Sequence, residues 1–287
     1  MESNSFSVVP MGKQIFLNPG EIYSGSITVA NLSTSASELS YEVNVSPYSV
    51  IGNGYSADFL STSSHTEITN WITIENPTGI VAPNESKTVN YTITVPEDAS
   101  PGGQYAALSV IGNPTLSANT GNGLAIGNVY EIASLIYANI AGIIEREGSI
   151  IENSVPGFST VSSVKTTAII ENKGNTHEDA IFSFEITNAI NGEVIYSTAA
   201  NSTPQSEIIM PDTTREITHE FANLPFAGIV KVVQAISYGE ETSITEQTLF
   251  ICPIWLMAVF IAIILGVTGL TIARIKHHRN RKRAIQI

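Results

Sequence analysis

Short runs in which apolar and polar residues alternate recur along most of the chain. Val, Ile, Thr, Ser and Tyr dominate these runs, and Gly, Pro and Asn separate them, as in Thr88–Val95 and Val164–Glu171. Alternation with a period of two is typical of strands that bury one face. Before residue 249, no segment has the spacing of an amphipathic helix. The pattern therefore predicts an all-β protein up to that residue.

The breaks between these runs predict two immunoglobulin-like β-sandwich domains, because about 245 residues are too many for one small sandwich. The boundary is expected in the linker Gly142–Val155. In residues 1–147 the predicted strands include Phe6–Val9, Gln14–Leu17, Tyr23–Asn31, Leu39–Val45, Lys87–Val95, Gln104–Ile111 and Tyr130–Ala141. In residues 148–248 they are Thr160–Glu171, Ala180–Asn188, Glu193–Ser197, Ile208–Pro211, Thr214–Glu220, Gly228–Tyr238 and Thr242–Phe250.

The composition of the sequence changes at residue 249, since residues 249–273 include no charged residue. A helix of this length spans about 37 Å, and the hydrocarbon core of a bilayer is about 30 Å thick. Residues 249–273 are therefore predicted to form one transmembrane helix. The tail, residues 274–287, has no acid and contains Arg274, Lys276, Arg279, Arg281, Lys282 and Arg283. Because basic flanks stay in the cytoplasm, we expect the N-terminus outside the cell and the C-terminus inside.

An extracellular domain requires an export signal. The start of this sequence, Met1-Glu2-Ser3-Asn4, lacks a basic segment followed by an apolar run, so we expect that a signal peptide has been removed. The single cysteine, Cys252, excludes a disulfide within the chain. Small secreted animal domains usually carry disulfides, so their absence favours a bacterial cell surface, of the Gram-positive type.

Charge narrows the choice of partners. The chain has 13 Lys and Arg and 26 Asp and Glu, and six of the bases lie in the tail. Residues 1–273 thus hold seven bases against all 26 acids, a net charge of −19. Such a surface excludes nucleic acid as a partner, since phosphate contacts need Lys and Arg. The expected partners are a surface protein or cell-wall component and, through one helix, the lipid bilayer.

Motifs of catalysis are missing from the sequence. His219-Glu220 begins like the zinc motif H-E-x-x-H, but Asn223 stands where the second histidine belongs. There is no nucleophile elbow and no phosphate-binding glycine loop. His177 beside Glu178-Asp179, and the acidic pairs Glu97-Asp98 and Glu240-Glu241, lack the spacing of a recognised metal site. We therefore predict no enzyme, no cofactor and no metal.

Two long loops are the candidates for binding, because long loops on rigid scaffolds often carry function. They are Ser46–Asn70 and Gly112–Gly123. The first contains Tyr48, Tyr55 and Phe59 among Ser, Asn and Gly, a mixture that suits recognition surfaces. We predict these three aromatic residues as partner contacts. The alternative is that they are core residues or belong to a plain flexible loop.

Several segments of the chain point to a known family. They are FSVVPMGKQIFLNPGEIYSGSITVAN, VAPNESKTVNYTITVPEDASPGGQYAALSV and GNVYEIASLIYANIAG in the first domain, and ENKGNTH, ITNAINGEVIY and MPDTTREI in the second. Together they resemble the bacterial WxL-interacting protein family. The layout of two sandwiches, one membrane helix and a short basic tail is also similar. The resemblance implies a membrane-anchored surface adaptor that binds a partner surface protein or cell-wall component.

Two other functions stay open from the sequence. One is a structural spacer or subunit of an envelope assembly. The other is a pilus-chaperone-like protein, because F-S-V-V-P, L-N-P-G and I-T-V-A-N also resemble the first domain of pilus chaperones. Those chaperones are soluble and use basic residues in the cleft between their domains. Here the linker region supplies only Arg146.

Overall fold

The computed structural model describes residues 6–33, 37–114, 129–199 and 205–284, without the side chains of residues 114 and 276–284. The strands up to residue 140 are β1 (Phe6–Val9), β2 (Gly12–Leu17), β3 (Ile22–Asn31), β4 (Leu39–Pro47), β5 (Ser49–Ile51), β6 (Ser56–Asp58), β7 (Ile72–Ile74), β8 (Thr78–Val81), β9 (Ser86–Thr94), β10 (Gly102–Pro114) and β11 (Tyr130–Ile140). A 3-10 helix, Ser64–Asn70, precedes β7.

The later strands are β12 (Gly148–Ser154), β13 (Phe158–Ser159), β14 (Val164–Asn172), β15 (Glu178–Asn188), β16 (Val194–Ser197), β17 (Gln205–Ile209), β18 (Thr213–Phe221), β19 (Gly228–Tyr238) and β20 (Glu241–Ile251). One helix, α1 (Ile254–Ala284), follows. The chain divides into two compact units. Unit 1 comprises residues 1–149, 170–179 and 208–216, and unit 2 comprises residues 150–169, 180–207 and 217–287.

Unit 1 contains a sandwich of two sheets, in the orders β1-β3-β9-β7 and β2-β11-β10-β4-β8. Strand β9 shows how the sequence builds it, because Val89, Tyr91 and Ile93 are buried while the residues between them face outward. These side chains pack against Leu108 and Ile136 of the opposite sheet in one apolar core. Burial raises the pKa of Tyr91 to about 12. Alternation along each strand thus gives the inner face its apolar layer.

Two buried asparagines of unit 1, each the last residue of a strand, make the same set of bonds. Asn31 donates its side-chain amide to the carbonyl oxygens of Ser37 (3.0 Å) and Val81 (3.1 Å), and its Oδ1 accepts the Ser33 N–H. Asn172 donates to the carbonyls of Thr176 (2.8 Å) and Ile209 (3.0 Å), and its Oδ1 accepts the Gly174 N–H. Each side chain therefore links the segment that follows its strand to a neighbouring strand, through bonds to three backbone groups.

The larger sheet of unit 2 has the strand order β13-β20-β19-β15-β16, with β19 in the middle. Phe182 and Phe184 of β15 are buried. The ring of Phe184 lies 4.8 Å from that of Phe221, which belongs to β18 in the other sheet, of order β12-β14-β18. This contact joins the two sheets face to face. The predicted fold class, immunoglobulin-like sandwiches followed by one apolar helix, is confirmed.

The junction with the helix differs in its bounds from the predicted segment 249–273. Leu249 and Ile251 are buried and Phe250 is exposed, so these residues continue the alternation of β20. Pro253 follows, and the helix begins at Ile254. Residues Ile254–Ile275 form a 22-residue segment of mean hydropathy 2.5, long and apolar enough to cross a membrane. The first residues of the uncharged run are apolar because the sandwich buries them.

Candidate partner-binding site

The predicted contact loop Ser46–Asn70 is an ordered part of unit 1. It holds the hairpin β5–β6 and the 3-10 helix Ser64–Asn70. Buried Gln104 of β10 fastens the helix, because its Oε1 accepts the Ile68 N–H (3.2 Å) and its Nε2 donates to Ser64 O (2.7 Å). The second predicted loop, Gly112–Gly123, is described only to residue 114, and the rest of it lies outside the described residues.

The three predicted contact residues are half-buried and pack within unit 1. Tyr48 lies 6.0 Å from Phe59 and 5.8 Å from Tyr137, measured between ring centroids. The Tyr55 hydroxyl accepts the Met210 N–H (2.9 Å) and bonds the Thr213 hydroxyl. The Arg215 guanidinium lies 4.6 Å from the centre of the Tyr55 ring. These contacts turn much of each aromatic ring inward.

Behind them lies a group formed by the buried residues Tyr105 and His177 and the partly buried Tyr137. The Tyr105 hydroxyl accepts the backbone N–H of His177 (2.8 Å) and lies 3.1 Å from His177 Nδ1. Because it accepts the backbone proton, its own proton is available to be donated to Nδ1. Burial raises the pKa of Tyr105 and lowers that of His177. For His177 the carboxylate of Asp179 opposes that shift and Arg146 adds to it. The site thus favours a neutral imidazole.

The lowered pKa of His177 gives stability a pH dependence. The unfolded chain takes up this proton near the ordinary pKa of 6.5, and the folded chain takes it up only at lower pH, so acid favours unfolding. We expect the free energy of unfolding to fall more between pH 7.5 and 5.5 in the native protein than in His177→Asn, which keeps an acceptor near Nδ1. Urea titrations at both pH values measure this difference. Equal falls in the two proteins would refute the assignment.

Strand β2 presents an open edge. In the described part of the chain it ends its sheet, with β11 parallel to it on one side. The Leu135 N–H donates to Met11 O and the Ala141 N–H to Leu17 O, so every second residue from 11 to 17 faces β11. The backbone groups of Gly12, Gln14 and Phe16 therefore point to the open edge. The Phe16 side chain is 79% exposed.

A pocket of about 380 Å³ adjoins this edge within unit 1. Gln14 and Phe16 supply its β2 side, and Asn139 lies at the end of β11. The remaining lining includes Ile144, Arg146, Thr176, His177, Glu178 and Asp179. The Thr176 hydroxyl donates to Asn139 Oδ1, and Arg146 Nη1 lies 3.2 Å from Glu178 Oε1. The pocket is therefore mixed in polarity, with one base beside two acids.

Edge and pocket together can bind an extended peptide. The outward N–H and C=O groups of β2 can continue the sheet, and a side chain of the added strand can enter the pocket. The sequence carried one signal for this site. In Gln14-Ile15-Phe16-Leu17, apolar residues stand on both faces of a strand that buries only Ile15 and Leu17. On an open edge strand, the exposed Phe16 ring can add apolar contact area for a strand that pairs there.

The six predicted topology residues all lie on α1. Arg274 is an exposed helical residue. The helix backbone continues to Ala284, and the side chains of Lys276, Arg279, Arg281, Lys282 and Arg283 lie outside the described residues. Among the side chains that are described, no three His, Cys, Asp or Glu residues gather at one point.

Comparison with known proteins finds similarity to solved structures only. No family model and no curated protein matches the chain. It is similar to a solved class 5 fimbriae chaperone, CfaA, at 15% identity and a TM-score of 0.41, over 85% of this chain and 99% of that one.

Two further solved structures of complexes are similar. One is the CsuC–CsuE chaperone–tip adhesion subunit complex of Acinetobacter baumannii, at 13% identity and a TM-score of 0.40, over 86% of this chain and 99% of that one. The other is the Salmonella enterica SafA pilin with the SafB chaperone, at 11% identity and a TM-score of 0.41, over 86% and 97%.

Proposed function

We propose that this protein is a membrane-anchored adaptor of a bacterial cell surface, which holds a partner surface protein or cell-wall component through its ectodomain. The observation that carries the proposal is the open edge of β2 beside the pocket that Asn139, Arg146 and residues 176–179 help to line. The apolar segment Ile254–Ile275 supplies the anchor. The resemblance of the sequence to WxL-interacting proteins supports the same function.

The chemistry of the edge favours a protein as the partner. Backbone N–H and C=O groups spaced along a strand match another extended backbone. The exposed Phe16 ring adds apolar contact area next to these groups. The acidic balance of residues 1–273 favours a partner strand with neutral or basic flanks over an anionic polymer. Catalysis forms no part of this proposal.

We also propose partner contacts at Tyr48, Tyr55 and Phe59. Substitutions at these positions are a poor test of binding, because they also disturb packing. Each is half-buried, and the Tyr55 hydroxyl bonds Met210 and Thr213. Replacing all three would remove internal packing together with contact area. Variants at the outward-facing positions of β2 change the binding surface with far less effect on packing, so they give the sharper test.

Gln14→Pro should weaken partner capture by roughly tenfold or more. The substitution removes the outward backbone N–H of residue 14, which would donate to an added strand and fix its register. Loss of about 1.4 kcal/mol of binding free energy corresponds to a tenfold weaker affinity. Proline is tolerated on an edge strand when its nitrogen faces away from the sheet. The β2–β11 ladder uses residues 13, 15 and 17 and should persist. Full-length protein is used to capture cross-linked partners from envelope extracts, and the partners are quantified by mass spectrometry.

Ile80→Pro is the matched control. Ile80 is an exposed residue of β8, the strand at the opposite end of the same sheet. Because the Val43 N–H donates to Pro77 O, residues 77, 79 and 81 face β4 and Ile80 faces outward. This variant should capture partners at the native level. Native-level capture by Gln14→Pro, or equal loss in both variants, would rule out the β2 edge as the binding site.

A second candidate function uses the same edge. A pilus-chaperone-like protein would hold an extended segment of an exported subunit for a time and then release it. The open β2 edge favours this function over a purely structural spacer, which needs no binding edge. Exchange of a labelled partner distinguishes the two: retention over hours indicates an adaptor, and displacement by a competing partner strand indicates a chaperone.

A further inference from the structure

The end of unit 2 that leads into α1 is held close to the start of the helix. Strand β20 runs to Ile251, and only Cys252 and Pro253 separate it from Ile254. The Cys252 N–H donates to Ser159 O (2.9 Å), which fastens this connection to β13. Side chains next to residues 250–254 would therefore lie at the membrane surface, where α1 emerges from the bilayer.

Exposed apolar side chains surround this connection. Phe158 and Phe250 are neighbours on paired strands, 49% and 51% exposed. Phe226, 54% exposed, stacks on Trp255 in the first turn of α1, with ring centroids 5.5 Å apart. Val161 is also exposed. We call Phe158, Val161, Ile190, Phe226 and Phe250 the membrane-proximal rim.

Backbone bonds bring the loops of the rim to one end of the sandwich. The Leu224 N–H donates to Ser162 O (3.0 Å), which joins the loop of Phe226 to that of Val161. The Ala189 N–H donates to Ile229 O (3.0 Å), which places the turn carrying Ile190 beside the start of β19. Ile190 is 80% exposed.

The segments that form this end carry no charge. Residues 153–164, 186–192, 221–230 and 247–273 contain no Asp, Glu, Lys or Arg. The rest of the chain before residue 274 carries all 26 acids. Exposed apolar rings without neighbouring charges suit the interfacial layer of a bilayer, where aromatic side chains concentrate. A water-exposed end of an acidic domain would not need this composition.

We propose that the membrane-proximal rim rests in the outer interfacial layer of the bilayer and contacts lipid. The inference rests on the membrane anchoring in the proposed function and adds a second lipid contact, made by the sandwich itself. The occupant is lipid because the rim is continuous with Trp255 and the membrane-spanning segment. Contact at the rim would fix the orientation of unit 2 on the membrane.

Tryptophan fluorescence in vesicles tests the contact, since the chain has only Trp71 and Trp255. Full-length Phe250→Trp, in a Trp71→Phe and Trp255→Phe background, is placed in phosphatidylcholine vesicles with acyl chains brominated near the headgroup. We expect its emission to be quenched by half or more. Phe158→Trp, at the paired position, serves as a second reporter if the first variant folds poorly.

Ile244→Trp in the same background is the matched control. Ile244 is exposed on the same face of β20, six residues and roughly 20 Å further from the helix. It should show little quenching. A second reference keeps Trp255 with Trp71→Phe, and its quenching reports the helix alone.

The outcomes separate the two proposals. Quenching of the Phe250→Trp or Phe158→Trp variant well above the Ile244→Trp control supports contact of the rim with lipid. Quenching of Trp255 with both rim variants at the control level overturns the rim contact and leaves the anchor standing. Absence of quenching at Trp255 overturns the anchor and the rim together.

Discussion

Asn31→Ala and Asn172→Ala should each lower the free energy of unfolding by about 2–4 kcal/mol, because each removes three hydrogen bonds between a buried side chain and the backbone. The two side chains are 3% and 2% exposed, so water cannot replace the lost bonds. Asn31→Asp should be at least as harmful, since a carboxylate would face the carbonyls of Ser37 and Val81. Urea unfolding followed by Trp71 emission, in a Trp255→Phe background, measures these losses.

Asn188→Ala provides the control for this prediction. Asn188 also ends a strand, and its Oδ1 accepts the Ile190 N–H (2.9 Å) in an exposed turn. Its loss should cost about 1 kcal/mol or less, because water can solvate an exposed N–H. Three variants with equal, small effects would show that the buried bonds of Asn31 and Asn172 do not anchor their turns.

Protease added to intact cells should remove the ectodomain and leave a tag after Ile287 intact. The apolar segment Ile254–Ile275 would lie in the bilayer with Arg274, Lys276, Arg279, Arg281, Lys282 and Arg283 inside. The expected difference is all-or-none, because the basic tail holds the orientation of a single span. Immunoblots of the tag before and after proteolysis measure it. Digestion of the tag without lysis would reverse the topology.

Neutralising the tail tests the cause of this orientation. A variant with all six bases replaced by Gln keeps the apolar segment and loses the charge that resists crossing. We expect a fraction of its tags to become sensitive to external protease. Lysed cells, in which every tag should be digested, control for intrinsic resistance. Unchanged protection in the variant would assign the orientation to the ectodomain and its export.

Most strands were predictable because they bury one face. Phe6–Val9 and Gly228–Tyr238 have the predicted bounds, and most other strands differ by a few residues at their ends. Strand β12 was missed in the predicted linker, since no residue of Gly148–Ser154 is buried and the strand shows no clear alternation. The start of the helix was misplaced because an apolar run looks the same in a buried strand and in a membrane span.

The candidate site was less predictable, because contacts distant in sequence create it. The sequence shows that Tyr55 is aromatic and sits in a long segment, but its bonds to Met210 and Thr213 depend on tertiary structure. The edge position of β2 follows from the order of strands in the sheet, which alternation does not specify. Phe16 was the available clue, as an apolar side chain on the outer face of a strand.

The direct passage from β20 into α1 also determines how the protein would carry a mechanical load. A partner that pulls on the ectodomain strains the chain along β20, which pairs with β19 over its whole length from Glu241 to Ile251. Force applied along a strand loads all of its ladder bonds in shear, whereas a peeling force would break them one after another. The connection to the membrane would therefore withstand drag on a tethered partner better than a flexible stalk attached to a loop.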